Sequence, residues 1–296
     1  VELQQMRYVL AVASTGNFTR AAKQCLVVQS ALSHQIAALE RELGTRLFAR
    51  TSRRVALTAA GEAFLPAARA CLEAADRAVA DAAAATGEIR GRLSVGMIPT
   101  VTGIDLPLAL RDFHRRHPQV RIVLRSAGSD DLAAAIRAGE VDVAVLGLPE
   151  SVKPRGVRFR ALNHDRHVAV VARDHPLAGS SRVDLPTLAR EPFADFPAAT
   201  AGRAQSDLAF AAAGLEREVA FEAMATDLLI GLIRQGLAVA LLPSRFVRGI
   251  PDVVTIPVED GPARVEYLAW SDFNPTPAAV AFLRTSSVAA ADQSTR

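Results

Sequence analysis

Gln29, Ser30, Ser33, His34 and Gln35 fall on one side of a segment whose other side carries Leu32, Ile36, Leu39 and Leu43, at spacings of 4, 3 and 4. Those spacings predict an amphipathic helix over Gln29–Leu43, with Gly44 as the residue just past its end. The amide, hydroxyl and imidazole groups have the reach needed for base edges and phosphates, and a glutamine can pair with adenine through both amide atoms. When a short helix and a tight turn precede such a helix, its N-terminal residues enter the major groove. Arg46, Arg50, Arg53 and Arg54 follow at once, where they would meet phosphates. A polar face that is only hydrated fits the same pattern, and the residues alone leave both readings open.

Three elements must position this face. Leu3, Met6, Leu10 and Ala13 form a stripe of helical spacing. Asn17 is placed to cap a short helix over Phe18–Cys25. Leu47–Leu57 is expected to make a two-stranded wing turning at Ser52-Arg53-Arg54, so residues 1–58 form one domain. Thr58 then caps a long helix, running to about residue 86 with Pro66 near its start, on which Phe64, Leu65, Ala68, Leu72, Ala75 and Val79 share a face. So narrow a stripe calls for a partner helix, which makes 59–90 a candidate dimerisation segment; packing on the chain's own body is the alternative.

From Arg92 the rhythm changes to alternating strands and helices, a parallel-sheet pattern that repeats after a crossing segment. Residues 91–296 therefore read as a two-lobed α/β body. Its first lobe takes about 91–162 and 268–296, and its second about 163–267.

The composition agrees with this division. At 296 residues and 50% hydrophobic, the chain is long enough for roughly two cores. Residues 1–58 hold eight basic groups against three acidic ones, a net +5 that leaves −2 of the overall +3 for the rest. A basic head on a slightly acidic body suits phosphate binding confined to the N-terminal part. Lysine occurs only at 23 and 153, and the abundance of arginine and alanine resembles a GC-rich bacterial coding sequence. Two cysteines, Cys25 and Cys71, cannot build a disulfide framework and read as small packed residues. Apolar runs such as Leu237–Leu242 fall far short of the roughly 18 residues a membrane span needs, and the first residues lack the pattern of an export signal. No membrane association is expected, and a reduced, cytoplasmic setting is.

Arg20-Ala-Ala-Lys-Gln-Cys-Leu26, Gln29-Ser-Ala-Leu-Ser-His-Gln-Ile36, Leu39-Glu-Arg-Glu-Leu-Gly44, Arg46-Leu-Phe-Ala-Arg50 and Leu57-Thr-Ala-Ala-Gly61 closely resemble the LysR-type transcriptional regulators. The match covers about the first 65 residues, and the body resembles the family's effector domain more weakly. The resemblance implies an α+β multidomain protein. Its parts would be a winged helix-turn-helix, a linker helix that pairs two chains, and a periplasmic-binding-protein-like effector domain of two α/β subdomains. It also implies a homodimer or homotetramer on double-stranded promoter DNA that answers to a small molecule held between the subdomains. The sequence departs from the family at Val28, where serine is usual, at Ser30, where proline is frequent, and at His34, where arginine or lysine is common. Losing a cap oxygen at 28 costs about 0.5–2 kcal/mol, and His34 makes one positive contact depend on pH.

In the body, Thr100 and Ser129 match hydroxyls that the family uses on its effector, although each could instead be a helix N-cap. Gly147 stands where some aromatic-acid responders carry arginine, and Phe196, Pro197 and Thr226 face the cleft by analogy. No cysteine lies in the body to act as a thiol switch. There is no Gly-x-Ser-x-Gly elbow, P-loop or Gly-x-Gly-x-x-Gly fingerprint, so no enzymatic activity, metal or cofactor is expected. His164 and His167, three apart on a crossing strand, should point to opposite faces of a solvated hinge rather than share a metal. The competing expectation is a two-lobed small-molecule-binding protein whose ligand binding, not DNA binding, is its main role.

Overall fold

The computed structural model describes residues 1–50, 55–198, 200–273 and 275–293. The chain divides into two units, Val1–Thr86 and Gly87–Arg296.

The first unit is built from α1 (Leu3–Thr15), α2 (Phe18–Gln24), α3 (Gln29–Leu43), the antiparallel pair β1 (Phe48–Arg50) and β2 (Val55–Leu57), and α4 (Ala59–Ala84). Asn17 caps α2 through its side-chain oxygen, which accepts from the Arg20 N–H at 2.9 Å. Gly44 ends α3 at φ 67°, the left-handed conformation that closes a helix at little cost for glycine. The α3 stripe meets the core as expected, with Leu32, Ile36 and Leu39 fully buried. The α1 stripe does not. Leu3 is exposed and Met6, Leu10 and Ala13 are only half-buried, while Gln5, Tyr8, Val9 and Val12 face inward. A glutamine can take a core position because both ends of its amide are engaged. Gln5 Nε2 donates to Gln35 Oε1 at 3.3 Å, and its Oε1 accepts from the Glu2 N–H at 2.9 Å.

The wing is tied to α3 by Glu40, whose Oε1 accepts from the backbone N–H groups of Leu47 and Phe48 at 2.8 and 3.1 Å. Phe48 meets Phe18 edge to face at 5.8 Å. Along α4, Phe64 and Leu65 pack against this core, Leu72 and Ala75 are half-buried, and Val79 is 58% exposed. Cys25 borders the same core, but Cys71 is exposed on α4 and is not the packed residue expected.

The second unit begins with β3 (Gly91–Met97), α5 (Leu106–Arg116), β4 (Val120–Ser126), α6 (Ser129–Arg137) and β5 (Val143–Pro149). A 15-residue strand, β6 (Arg158–Ala172), then crosses to α7 (Leu185–Leu188), β7 (Phe193–Asp195), α8 (Ala201–Ala212), β8 (Val219–Glu222) and α9 (Thr226–Arg234). The chain returns through β9 (Ala240–Pro243), α10 (Ser244–Val247), β10 (Val253–Pro257), β11 (Ala263–Trp270) and α11 (Pro277–Gln293). The strand order is β10-β6-β11-β5-β3-β4, with β9 also on β6. Among the strand pairs of the described residues, those of β3 and β7–β8 are parallel; β6, β9, β10 and β11 run antiparallel to their partners, so the expected parallel-sheet pattern holds only in part.

β6 pairs with β11 up to Arg166 and with β9 and β10 beyond His167, while β11 pairs with β5 from Arg264 onward. The partners of β6 thus change near 166–167, and those of the returning chain change between Pro257 and Ala263.

This crossing is not the solvated hinge expected. His164 is exposed, but Asp165 and His167 are 7% and 4% exposed. Asp165 accepts from the Ser244 hydroxyl at 2.7 Å and the Arg245 N–H at 3.2 Å. The His167 backbone N–H donates to the Pro262 carbonyl at 2.9 Å, and its Nδ1 lies 3.2 Å from the same oxygen. Among the described residues, no group of three histidine, cysteine or acidic side chains could hold a metal ion, and no helix is long and apolar enough to cross a membrane.

Two tests follow from this packing. A Cβ at Gly61 would lie 2.1 Å from the Leu47 carbonyl oxygen. Gly61→Ala should therefore lower stability by about 1–3 kcal/mol, reversing the gain of nearly 1 kcal/mol that the exchange gives in an open helix. A raised urea midpoint would contradict the close approach. His167 has its pKa lowered from 6.5 to about 3, by burial first and the Arg264 charge second. Between those values the unfolded chain takes up a proton that the folded chain refuses, so this contribution is present at neutral pH and lost as pH falls. His167→Gln should flatten the acid limb of the stability curve, which otherwise carries up to about 1.4 kcal/mol per pH unit from this group. An unchanged slope in urea titrations from pH 7 to 4 would contradict it.

Candidate functional site

On α3 the candidate residues divide. Val28, Gln29, Ser30, Ala31 and His34 form an exposed run at its N-terminal end, and Ser33 is half-buried. Gln35 is also half-buried, and its side-chain oxygen is taken up by Gln5, which turns it toward α1. The N-cap position is Val28, whose side chain makes no capping hydrogen bond. Arg46 is exposed beside the wing, and Arg50 ends β1. Arg53 and Arg54 lie outside the described residues.

In the second unit a small cleft lies between the lobes. Ile98, Pro99, Gly147, Phe196 and Met224 give it apolar walls, and Thr100, Ser129, Gln205 and Arg264 supply polar groups. Its cavity of about 30 Å³ holds little more than a water molecule. Thr100, Ser129, Gly147 and Phe196 are therefore brought together as expected; Pro197 and Thr226 are not part of the lining.

Neither hydroxyl is a helix cap. α5 is capped by Asp105, whose Oδ1 accepts from the Leu108 N–H at 2.9 Å, and α6 begins after Gly128. Thr100 Oγ1 accepts instead from Arg264 Nη1 at 2.6 Å. Ser129 Oγ donates to the Gly147 carbonyl at 2.9 Å and accepts from its N–H at 3.0 Å. Gly147 is fixed by space as well, since a Cβ there would stand 2.7 Å from Ile98 Cδ1 and 3.4 Å from Arg264 Nη1. From the opposite lobe, Gln205 Nε2 on α8 donates to the Gly147 carbonyl at 3.2 Å, closing the cleft, while its buried Oε1 has no partner among the described residues.

The floor is a buried ion pair that sequence reasoning missed. Arg264 Nη2 contacts Glu266 Oε1 at 2.5 Å and the Thr100 carbonyl at 2.7 Å. Glu266 is wholly buried and also accepts from the Thr102 hydroxyl at 2.6 Å, the Thr102 N–H at 3.0 Å and the Gly103 N–H at 2.8 Å. Burial lowers the Arg264 pKa, and the charges of Glu266 and Asp165 oppose that shift. The available signal was two opposite charges, two apart, on one face of an otherwise apolar strand. Asp195 and Arg217 form a second buried pair, at 2.7 Å, with the guanidinium over Phe193 at 4.7 Å.

Removing one partner of such a pair strands a charge. Glu266→Met should cost the body about 3–5 kcal/mol, and Arg264→Met with Glu266→Met should recover most of it. Chemical unfolding of the three variants checks this; a double variant no better than the single would contradict the pairing.

A model of the LysR substrate binding domain matches residues 86–289, and one of the bacterial regulatory helix-turn-helix protein, lysR family, matches residues 3–62. The uncharacterized HTH-type transcriptional regulator YnfL of Escherichia coli K12 is 33% identical over 284 residues, covering 91% of this chain and 92% of its own. A probable hydrogen peroxide-inducible genes activator of Mycobacterium avium is 35% identical over 243 residues, covering 82% of this chain and 78% of its own. The solved structure of full-length CbnR with its target DNA is similar at a TM-score of 0.72 and 27% identity, over 98% of this chain and all of that one. With a helix-turn-helix head and a two-lobed body both matched, the chain belongs to the LysR family of DNA-binding transcriptional regulators with an effector-binding domain.

Proposed function

We propose that the protein regulates transcription in the cytoplasm by reading promoter DNA with the exposed end of α3, under the control of a small molecule bound in the cleft. Gln29, Ser30, Ser33 and His34 face base edges and phosphates, and Arg50, Arg53 and Arg54 hold the backbone. Gln35 contributes less, because its oxygen is engaged by Gln5. The exposed stretch of α4 around Val79 pairs two chains, and two such dimers make a tetramer. One observation carries this reading: the contiguous exposed polar face on α3, in a chain aligned almost throughout with CbnR, a regulator solved on its target DNA.

The effector seat is the cleft over Arg264. With so small a cavity, a larger ligand enters only if the lobes part, which breaks the bond from Gln205 to Gly147. The ligand can then offer a donor to the unpartnered Gln205 oxygen. Binding alters transcription to the extent that the ligand prefers one arrangement of the lobes over the other.

The test is a pair of substitutions measured by fluorescence anisotropy on duplexes of different sequence. Gln29→Ala should relax preference among sequences. Arg53→Ala should weaken binding to all of them and reduce the salt slope by about one. Equal loss of preference from both would contradict this division of labour.

A further inference from the structure

The exposed end of α3 does not begin with a polar group. Val28 is 68% exposed, and Leu26, two residues before it, is 92% exposed; Val27 between them packs against the head core. Leu26 also adopts φ 55°, a left-handed conformation that a leucine side chain disfavours. At the N-cap, Val28 makes no side-chain hydrogen bond, so it forgoes the stabilisation an oxygen would give at that position. The turn therefore presents apolar surface to solvent with no compensating packing, next to Gln29.

A recognition helix places its N-terminal residues against base edges in the major groove. Among the base-edge groups there, the C5-methyl of thymine is the apolar one that side chains read by contact. A serine at position 28 would meet a phosphate or a base edge by hydrogen bonding; a valine can do neither. We infer that Val28 is a specificity-determining residue that packs on a thymine methyl group in each half-site, beside the base pair read by Gln29. The inference rests on the DNA-reading role proposed for α3. It assigns to Val28 a preference for thymine that the polar residues of the helix do not account for. Leu26 extends the same apolar surface toward the groove edge and keeps water from the contact.

The experiment separates the methyl group from every other property of the base. Preferred duplexes are first selected from random sequence with the full chain. Each thymine of the selected site is then replaced singly by deoxyuridine, which removes the methyl and leaves base pairing intact. The expected result is one thymine per half-site whose replacement weakens binding about fourfold, the worth of one apolar carbon withdrawn from water. Val28→Ser should bind the thymine and uracil duplexes equally. It supplies a cap oxygen, so a thermal midpoint at or above that of the parent is expected. Gln29→Ala should keep the thymine-to-uracil ratio while losing its own base preference. A selected site with no methyl-sensitive thymine, or a Val28→Ser protein that keeps the ratio, would overturn the inference and leave the role of α3 intact. If selection returned no preferred sequence at all, the role of α3 would fall with it.

Discussion

The buried pair of Arg264 and Glu266 ties the floor of the cleft to the loop that follows β3. Neither charge can stay in the interior alone, so each dictates what surrounds it. Glu266 gathers the hydroxyl and N–H groups of residues 102–103, fixing the loop that leaves β3. Arg264 holds Thr100 by both hydroxyl and carbonyl, which sets one wall of the cleft. Burial first, and the Arg264 charge second, keep His167 neutral at the lobe crossing. Pairing of β11 with β6 shifts register between Glu266 and Tyr267, beside Asn163, whose amide reaches the Thr102 hydroxyl at 3.4 Å. Cleft floor, β3 loop and crossing strand are thus one electrostatic unit.

The head follows a different logic. Its core is small and apolar, and the surface that meets DNA is aimed by a few polar ties. Glu40 binds the wing to α3, Gln5 draws Gln35 inward, and the absence of a side chain at Gly61 lets α4 approach the Leu47 carbonyl. Each tie costs α3 one polar group or limits one neighbour. What remains free at its N-terminal end is a short run from Val28 to Ser30 with His34 one turn on.

Much of this was legible in the sequence where one local signal decided the outcome. The bounds of α3, its Gly44 end and the Asn17 cap depend on residues within a few positions of each other. The failures share a cause. The α1 stripe was read from apolar residues alone, yet Gln5 is inside because a partner 30 positions away satisfies it. The start of β6, Arg158–Asn163, carries no strand signal of its own and forms because β11 supplies its partner. Arg264 and Glu266 answer to groups about 164 positions distant, so their opposite charges two apart signal a buried pair but not a cleft. Phe196, Pro197 and Thr226 were placed by analogy; Phe196 lines the cleft together with Met224, and Pro197 and Thr226 do not.

Under the proposed function, paired heads grip promoter DNA in a geometry that the body can alter. The most direct measurement is a nuclease footprint of the full-length protein, at fixed salt, on the DNA flanking its own gene. The expected result is protection over several helical turns, interrupted by a hypersensitive site where the duplex bends between the heads. Coverage that shows no boundary on any DNA, or no protection at low salt, would contradict it.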